Sequence, residues 1–263
     1  MSGVCGPLNS TAKFAAPQGQ MDITRDLKLN VAAYVLATVG CVAAILSGQH
    51  MLEYVCKPLM MVILSSWFFF NSRRYGDRFT LLIQVGLFFS LIGDIALMFQ
   101  HMDEFFFLIG LSAFLIAHLC YCIAFIHNIS EVGGDDGLAV GFGIAAGIVL
   151  FAVIFAWQLV PRLDEGLSIP VISYVAIISA MAILAGFRWM RTFPRSFWMV
   201  MAGALFFMLS DSLLATNRFI RTLDWSPAVI IVTYAIAQFL IAAGALQHVL
   251  DPDSIRRKQA MEA

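Results

Sequence analysis

Charge is scarce in this sequence. Only 13% of its 263 residues are Asp, Glu, Lys or Arg, and 60% are hydrophobic, whereas ordinary globular chains are about a quarter charged and roughly half apolar. With a mean hydropathy of +0.85, that deficit excludes an ordinary soluble domain. A disulfide framework is missing as well: Cys41, Cys56, Cys120 and Cys122 fall inside apolar runs, and Cys5 in a polar head. Residues 1–28 hold no apolar core of the signal-peptide kind, and Ser2 stands where N-myristoylation needs glycine, so neither signal is expected. Familiar catalytic signatures are also absent. There is no G-x-S-x-G elbow, no H-E-x-x-H site, no glycine-rich phosphate loop before a helix, and no basic footprint for nucleic acid.

What the sequence does contain is eight apolar segments, at about 29–48, 54–71, 80–99, 105–127, 138–160, 168–190, 197–217 and 227–250. Each is long enough to cross a hydrocarbon core ~30 Å thick as a helix. The chain therefore reads as an all-α, polytopic membrane protein. It divides into a polar N-terminal segment (1–28), an eight-helix transmembrane domain (29–250) and a basic tail (251–263). Lys13, Arg25, Lys28, Arg73, Arg74, Arg78, Arg188, Arg191, Arg195, Arg256, Arg257 and Lys258 share one face. Arg162, Arg218 and Arg221 take the other, and Lys57 is intramembrane. By the positive-inside rule both termini are expected in the cytoplasm. The membrane would be the endoplasmic reticulum or another endomembrane in a eukaryote, and the inner membrane in a bacterium. The sequons at Asn9 and Asn128 then face the cytoplasm and are expected to stay unmodified. Oligomeric state is not legible.

Two aspartates interrupt this apolar pattern, Asp94 in "SLIGDIALM" (90–98) and Asp211 in "FMLSDSLLA" (207–215). A carboxylate at such a position costs several kcal/mol unless paired or protonated, so function or a buried ion pair to Lys57 must account for each. Their settings match. "GLFFSLIGD" (86–94) aligns without gaps with "GALFFMLSD" (203–211), and "FLIAHL" (114–119) with "YAIAQF" (234–239), setting His118 opposite Gln238. Chance similarity between Phe- and Leu-rich helices is the plain alternative to a 4+4 parallel repeat about an axis along the membrane normal. Such a repeat puts both aspartates at one depth, ~8 Å from the non-cytoplasmic end of their helices. Lys57, His118, Tyr234 and Gln238 lie on helices running back, and one polar pocket is expected to hold them all. Their plain readings are a snorkelling lysine and interhelical hydrogen bonds.

The "CKPL" of the second segment, "LIGDIALM" of the third, "GLSAFLIAHLCY" of the fourth, "SDSLLATNRF" of the seventh and "YAIAQFLI" of the eighth carry a resemblance. Over roughly residues 50–250 the chain resembles the lysoplasmalogenase (YhhN-like) family of integral membrane proteins. The resemblance implies hydrolysis of the vinyl ether bond of lysoplasmalogens to a fatty aldehyde and glycerophosphoethanolamine or glycerophosphocholine. It also implies that Lys57, Asp94, His118, Tyr121, Asp211, Asn217 and Gln238 are functional positions. Some relatives carry Asn at the place of Asp211 and His at that of Gln238, so a negative charge there is not obligatory.

The chemistry calls for such residues. An enol ether resists base and nucleophiles but yields to acid. Protonation of its β-carbon gives an oxocarbenium ion, water adds, and the hemiacetal collapses to aldehyde and alcohol. A desolvated carboxylic acid stays protonated at neutral pH, and a second carboxyl can steady the cation, as in glycosidases. We read Asp94 as the acid and Asp211 as the cation stabiliser or water-orienting base, although the pattern permits the exchange. Lys57 or His118 would hold one carboxylate ionised. Asn217, Arg218 and Arg221 are placed to meet the phosphate of a lysophospholipid head group. His118 with the two aspartates has no ligand pair at helical metal spacing, so neither metal nor other cofactor is expected. The expected partners are the substrate and membrane lipids, not nucleic acid. The competing reading is a proton-coupled transporter or lipid-binding membrane protein, which shows repeats and intramembrane carboxylates too.

Overall fold

The computed structural model describes residues 19–73, 77–132 and 137–249. Cys5, Lys13, Arg74, the Asn9 sequon and the whole 251–263 tail, with Arg256, Arg257 and Lys258, lie outside the described residues. Eight helices follow one another: α1 (Gly19–Ser47), α2 (His50–Ser72), α3 (Arg78–Met98), α4 (Glu104–Val132), α5 (Leu138–Leu159), α6 (Glu165–Phe187), α7 (Pro194–Ala215) and α8 (Ser226–Val249). Each contains a stretch long and apolar enough to cross a membrane, and no strand occurs among the described residues. The protein is a multi-pass, all-α integral membrane protein.

Helices suit this role because each satisfies its own backbone hydrogen bonds, in lipid or in water. For the same reason α1 starts at Gly19, well before its apolar stretch begins at Lys28. Loss of hydrophobicity ends a span without ending the helix. Local signals fix other boundaries. The Asp77 side chain caps α3 by accepting from the Thr80 backbone N–H at 2.9 Å, and Pro194 opens α7, where its missing N–H costs nothing. A 3₁₀ turn (Val160–Arg162) follows α5, and a π-helical turn (Thr216–Ile220) extends α7.

Packing closes α1, α2, α3, α4, α6, α7 and α8 into a ring in that order, with α8 returning to α1. α8 also touches α2 and α3, while α5 stays outside the ring on α6 and the π-helical turn. The contacts repeat with the sequence. α1–α2 corresponds to α5–α6, α2–α3 to α6–α7, α3–α4 to α7–α8, and α4–α6 to α8–α2. Gly86 and Gly203 explain the closest pairs. A Cβ on Gly86 would run into the Tyr121 ring, and one on Gly203 would fall 2.8 Å from Ile241. In each half the absent side chain lets the third and fourth helices close.

One end of the bundle is stapled by Arg188. Its position in the sequence suggests a loop base, yet its side chain is fully buried. Its Nε donates to Asn128 Oδ1 at 2.9 Å and its Nη2 to Ser196 Oγ at 3.0 Å. Ser196 in turn donates to the Gly244 carbonyl at 2.8 Å, and the Asn128 amide meets His248 Nε2 at 2.5 Å. The polar chain ties α4, α7 and α8 to the end of α6. The two aspartates lie toward the opposite end.

Candidate functional site

Asp94 stands one turn from the end of α3 and is 2% exposed. Its Oδ2 accepts the Tyr234 hydroxyl at 2.6 Å, and its Oδ1 lies 3.6 Å from Lys57 Nζ. Gln238 Nε2 donates to the Tyr234 oxygen at 3.4 Å, and Gln238 Oε1 accepts the Tyr121 hydroxyl at 3.0 Å. Lys57, Asp94, Tyr234, Gln238 and Tyr121 thus form one polar chain from α2 through α3 and α8 to α4. The cation and the phenol donor both act against the desolvation of the carboxylate.

Asp211 has different company. Its Oδ2 accepts the hydroxyl of Tyr174 on α6, and no ion pair reaches it among the described residues. It forms part of the wall of a narrow cavity enclosed by α3 to α7, with Leu111, Phe114, Phe155, Ile178 and Met208 among its lining. Ser179 and Ser212 also line it, but their hydroxyls are taken by the Val175 and Met208 carbonyls at 2.7 Å each. Asp211 is the one charged side chain in that wall among the described residues. Around it the cavity is lined chiefly by hydrocarbon.

The expected single pocket is therefore divided. Phe114 and Phe207 meet edge to face with centroids 6.3 Å apart, and both meet the Tyr234 ring, at 5.8 and 5.5 Å. Phe114 also lines the cavity, whereas Asp94, Lys57, Tyr234 and Gln238 do not. His118 is fully buried against Phe207 at 4.5 Å and Tyr174 at 5.3 Å. Neither ring nitrogen has a side-chain hydrogen-bond partner, so His118 pairs with neither aspartate.

The head-group candidates also divide. Asn217 Oδ1 accepts the Leu223 N–H at 2.8 Å and closes the turn after α7. Arg218 donates to Gln100 Oε1 at 3.0 Å, lies 3.6 Å from Glu104, and stacks 3.8 Å over Phe107. Arg218 thus joins the ends of α3, α4 and α7, Asn217 is engaged in its own turn, and Arg221 is exposed. Tyr174 is the residue that reading the sequence missed. A signal was there: Tyr174 precedes Asp211 by the same spacing at which Lys57 precedes Asp94. Extending the gap-free alignment from the third helix of each half to the second would have found it.

A sequence model of the YhhN family matches residues 52–245. Over 170 residues the chain is 35% identical to lysoplasmalogenase TMEM86A of Homo sapiens, covering 63% of this chain and 65% of that protein. Against TMEM86A of Bos taurus it is 32% identical over 201 residues, 73% of this chain and 76% of the relative. A Mycobacterium bovis protein named lysoplasmalogenase is 32% identical over 138 residues, 52% of this chain and 50% of the relative. No solved structure matches the chain.

Proposed function

The chain belongs to the YhhN family, and from that premise we propose that it is a lysoplasmalogenase. It hydrolyses the vinyl ether bond of a lysoplasmalogen to a fatty aldehyde and a glycerophospho-base. The observation that carries the reading is Asp211, a lone carboxyl in the wall of an apolar cavity, with a phenol donor beside it and no cation among the described residues. Such surroundings let a carboxylic acid keep its proton, and the hydrocarbon lining receives the alkenyl chain.

The roles given to the two aspartates in the sequence reading are exchanged here. Asp94 is paired with Lys57, buried, and outside the cavity lining, so a substrate in the cavity does not touch it. It acts as a positioning residue, holding Tyr234 and through it the rings of Phe114 and Phe207. Asp211 gives its proton to the vinyl β-carbon, where a C–H bond forms as the C=C π bond breaks. The α-carbon becomes an oxocarbenium carbon, and water adds to it while returning a proton to the Asp211 carboxylate. The hemiacetal then breaks its C–O bond: Asp211 protonates the departing glycerol oxygen, the hemiacetal hydroxyl returns a proton to Asp211 as its C=O forms, and the aldehyde leaves. One carboxyl serves as acid and then as base. The exposed Arg221, two residues beyond the cavity-lining Phe219, meets the phosphate.

The test is aldehyde release by purified protein in vesicles, given an alkenyl lysophospholipid in D₂O. The Asp211 proton exchanges with solvent, so the aldehyde should carry deuterium at its α-carbon, and turnover should show a normal solvent isotope effect. Aldehyde without that deuterium, after correction for enolisation, removes the acid mechanism. Movement of the lysolipid across the vesicle without aldehyde favours the proton-coupled transporter instead.

A further inference from the structure

Asp94 and Asp211 occupy equivalent places in the two halves, and so do the residues that address them from the second helix of each half, Lys57 and Tyr174. In one half the partner is a cation 3.6 Å from the carboxyl. In the other it is a neutral phenol. We propose that Tyr174 is a positioning residue that fixes the acid proton of Asp211 on Oδ1, and that the Lys57/Tyr174 difference assigns the two aspartates their separate tasks. The proposal rests on the reading of Asp211 as the acid.

The geometry of one hydrogen bond carries it. The Tyr174 hydroxyl donates to Oδ2 of Asp211 and makes no other hydrogen bond among the described residues. Oδ2 is therefore an acceptor, and because a carbonyl oxygen accepts better than a carboxylic hydroxyl, a neutral carboxyl carries its own proton on the other oxygen. One O–H hydrogen is left over in either direction: turning the bond round would strand it on the buried phenol, 8% exposed, whereas this direction leaves it on the half-buried Asp211 in the cavity wall. When Asp211 gives up its proton, the same donor steadies the carboxylate that forms, which an ordinary packing tyrosine would not do. No other side chain among the described residues bonds Asp211. His118 of α4 packs on the Tyr174 ring and bonds neither aspartate, Tyr234 of α8 donates to Asp94 of α3, none of the three lines the cavity, and α5 presents only apolar side chains to it.

The test reads the carboxyl directly by infrared spectroscopy of the full-length protein in vesicles, without turnover. Wild type should show a protonated-carboxyl C=O band that Asp211→Asn removes. Tyr174→Phe should move that band to higher wavenumber, because its carbonyl loses a donor, while Lys57→Met should leave it in place. In parallel, Tyr174→Phe should lower kcat for aldehyde release by about 10- to 100-fold with KM little changed. A band unmoved in Tyr174→Phe, or no band removed by Asp211→Asn, overturns the proposal. A band that moves as expected in a protein releasing no aldehyde supports the placement of Tyr174 and sinks the lysoplasmalogenase reading, so the two failures are distinguishable.

Discussion

Phe114 and Phe207 meet edge to face, 6.3 Å between ring centroids, and both pack on Tyr234, the phenol that bonds Asp94, while Phe114 also lines the cavity that holds Asp211. Asp94 is held by Lys57 and Tyr234 outside the cavity lining, and Asp211 stands in the cavity wall. Edge-to-face packing of this kind is worth about 0.5–1.5 kcal/mol beyond burial.

The first consequence is a difference between two matched substitutions. Asp211→Asn should lower aldehyde release by about 10²–10⁴-fold, the usual worth of a general acid, while the protein remains folded. Asp94→Asn should lose less, because it disturbs the packing around Tyr234 rather than the reacting carboxyl. Near-normal release by Asp211→Asn, with collapse in Asp94→Asn, would return the acid role to Asp94.

Stability should show the opposite order. Asp94→Asn leaves the Lys57 ammonium without its carboxylate, 3.6 Å away in the native protein. Removing one member of a buried pair costs about 3–5 kcal/mol. The Lys57→Met and Asp94→Asn double variant should recover much of that loss, since the stranded charge goes too. Thermal unfolding of the purified single and double variants gives the coupling. Strictly additive losses would mean that the pair contributes nothing.

Gly86→Ala tests the polar chain from its far end. The new Cβ would run into the Tyr121 ring, so the ring must shift and its 3.0 Å bond to Gln238 must lengthen or break. Overpacking of this kind costs about 1–3 kcal/mol. Unfolding measurements on Gly86→Ala beside Gly86→Ala with Tyr121→Leu check this, because the smaller side chain should relieve the clash. A fully stable single variant would show that the interface has room the structure does not contain.

Asn128 sits in a sequon yet is 1% exposed, its carbonyl holding Arg188 and its amide His248. No glycan should be found there in a secretory-pathway membrane, whichever way the chain is oriented. A mobility shift removed by deglycosylation and by Asn128→Gln would contradict the burial. Asn128→Ala should destabilise by about 1–3 kcal/mol, because it strands a buried guanidinium donor.

The number and kind of elements are legible in the amino-acid sequence. Eight apolar runs of membrane length admit little but helices, and the alignment of "GLFFSLIGD" with "GALFFMLSD" puts both aspartates, Gly86 and Gly203 in their equivalent places. Boundaries are less legible where polarity and helicity part company, as at Gly19 in α1.

What composition and spacing determined is which residues lie at which depth, because the helical rise and the bilayer thickness are fixed lengths. They could not determine which residues meet. In these helices hydrophobicity runs around the whole circumference, since lipid and protein interior are both apolar, and no polar face marks the inside. Only the packing shows that Arg188, Asn128 and His248 form a buried staple rather than a loop edge. Only the packing confines His118 among aromatic rings and puts Asp211 in a cavity wall that Asp94 does not share. Depth is a property of one helix, written along its sequence. Contact is a property of the angle at which two helices turn toward each other, and the ring closure of the helices around α8 sets that angle.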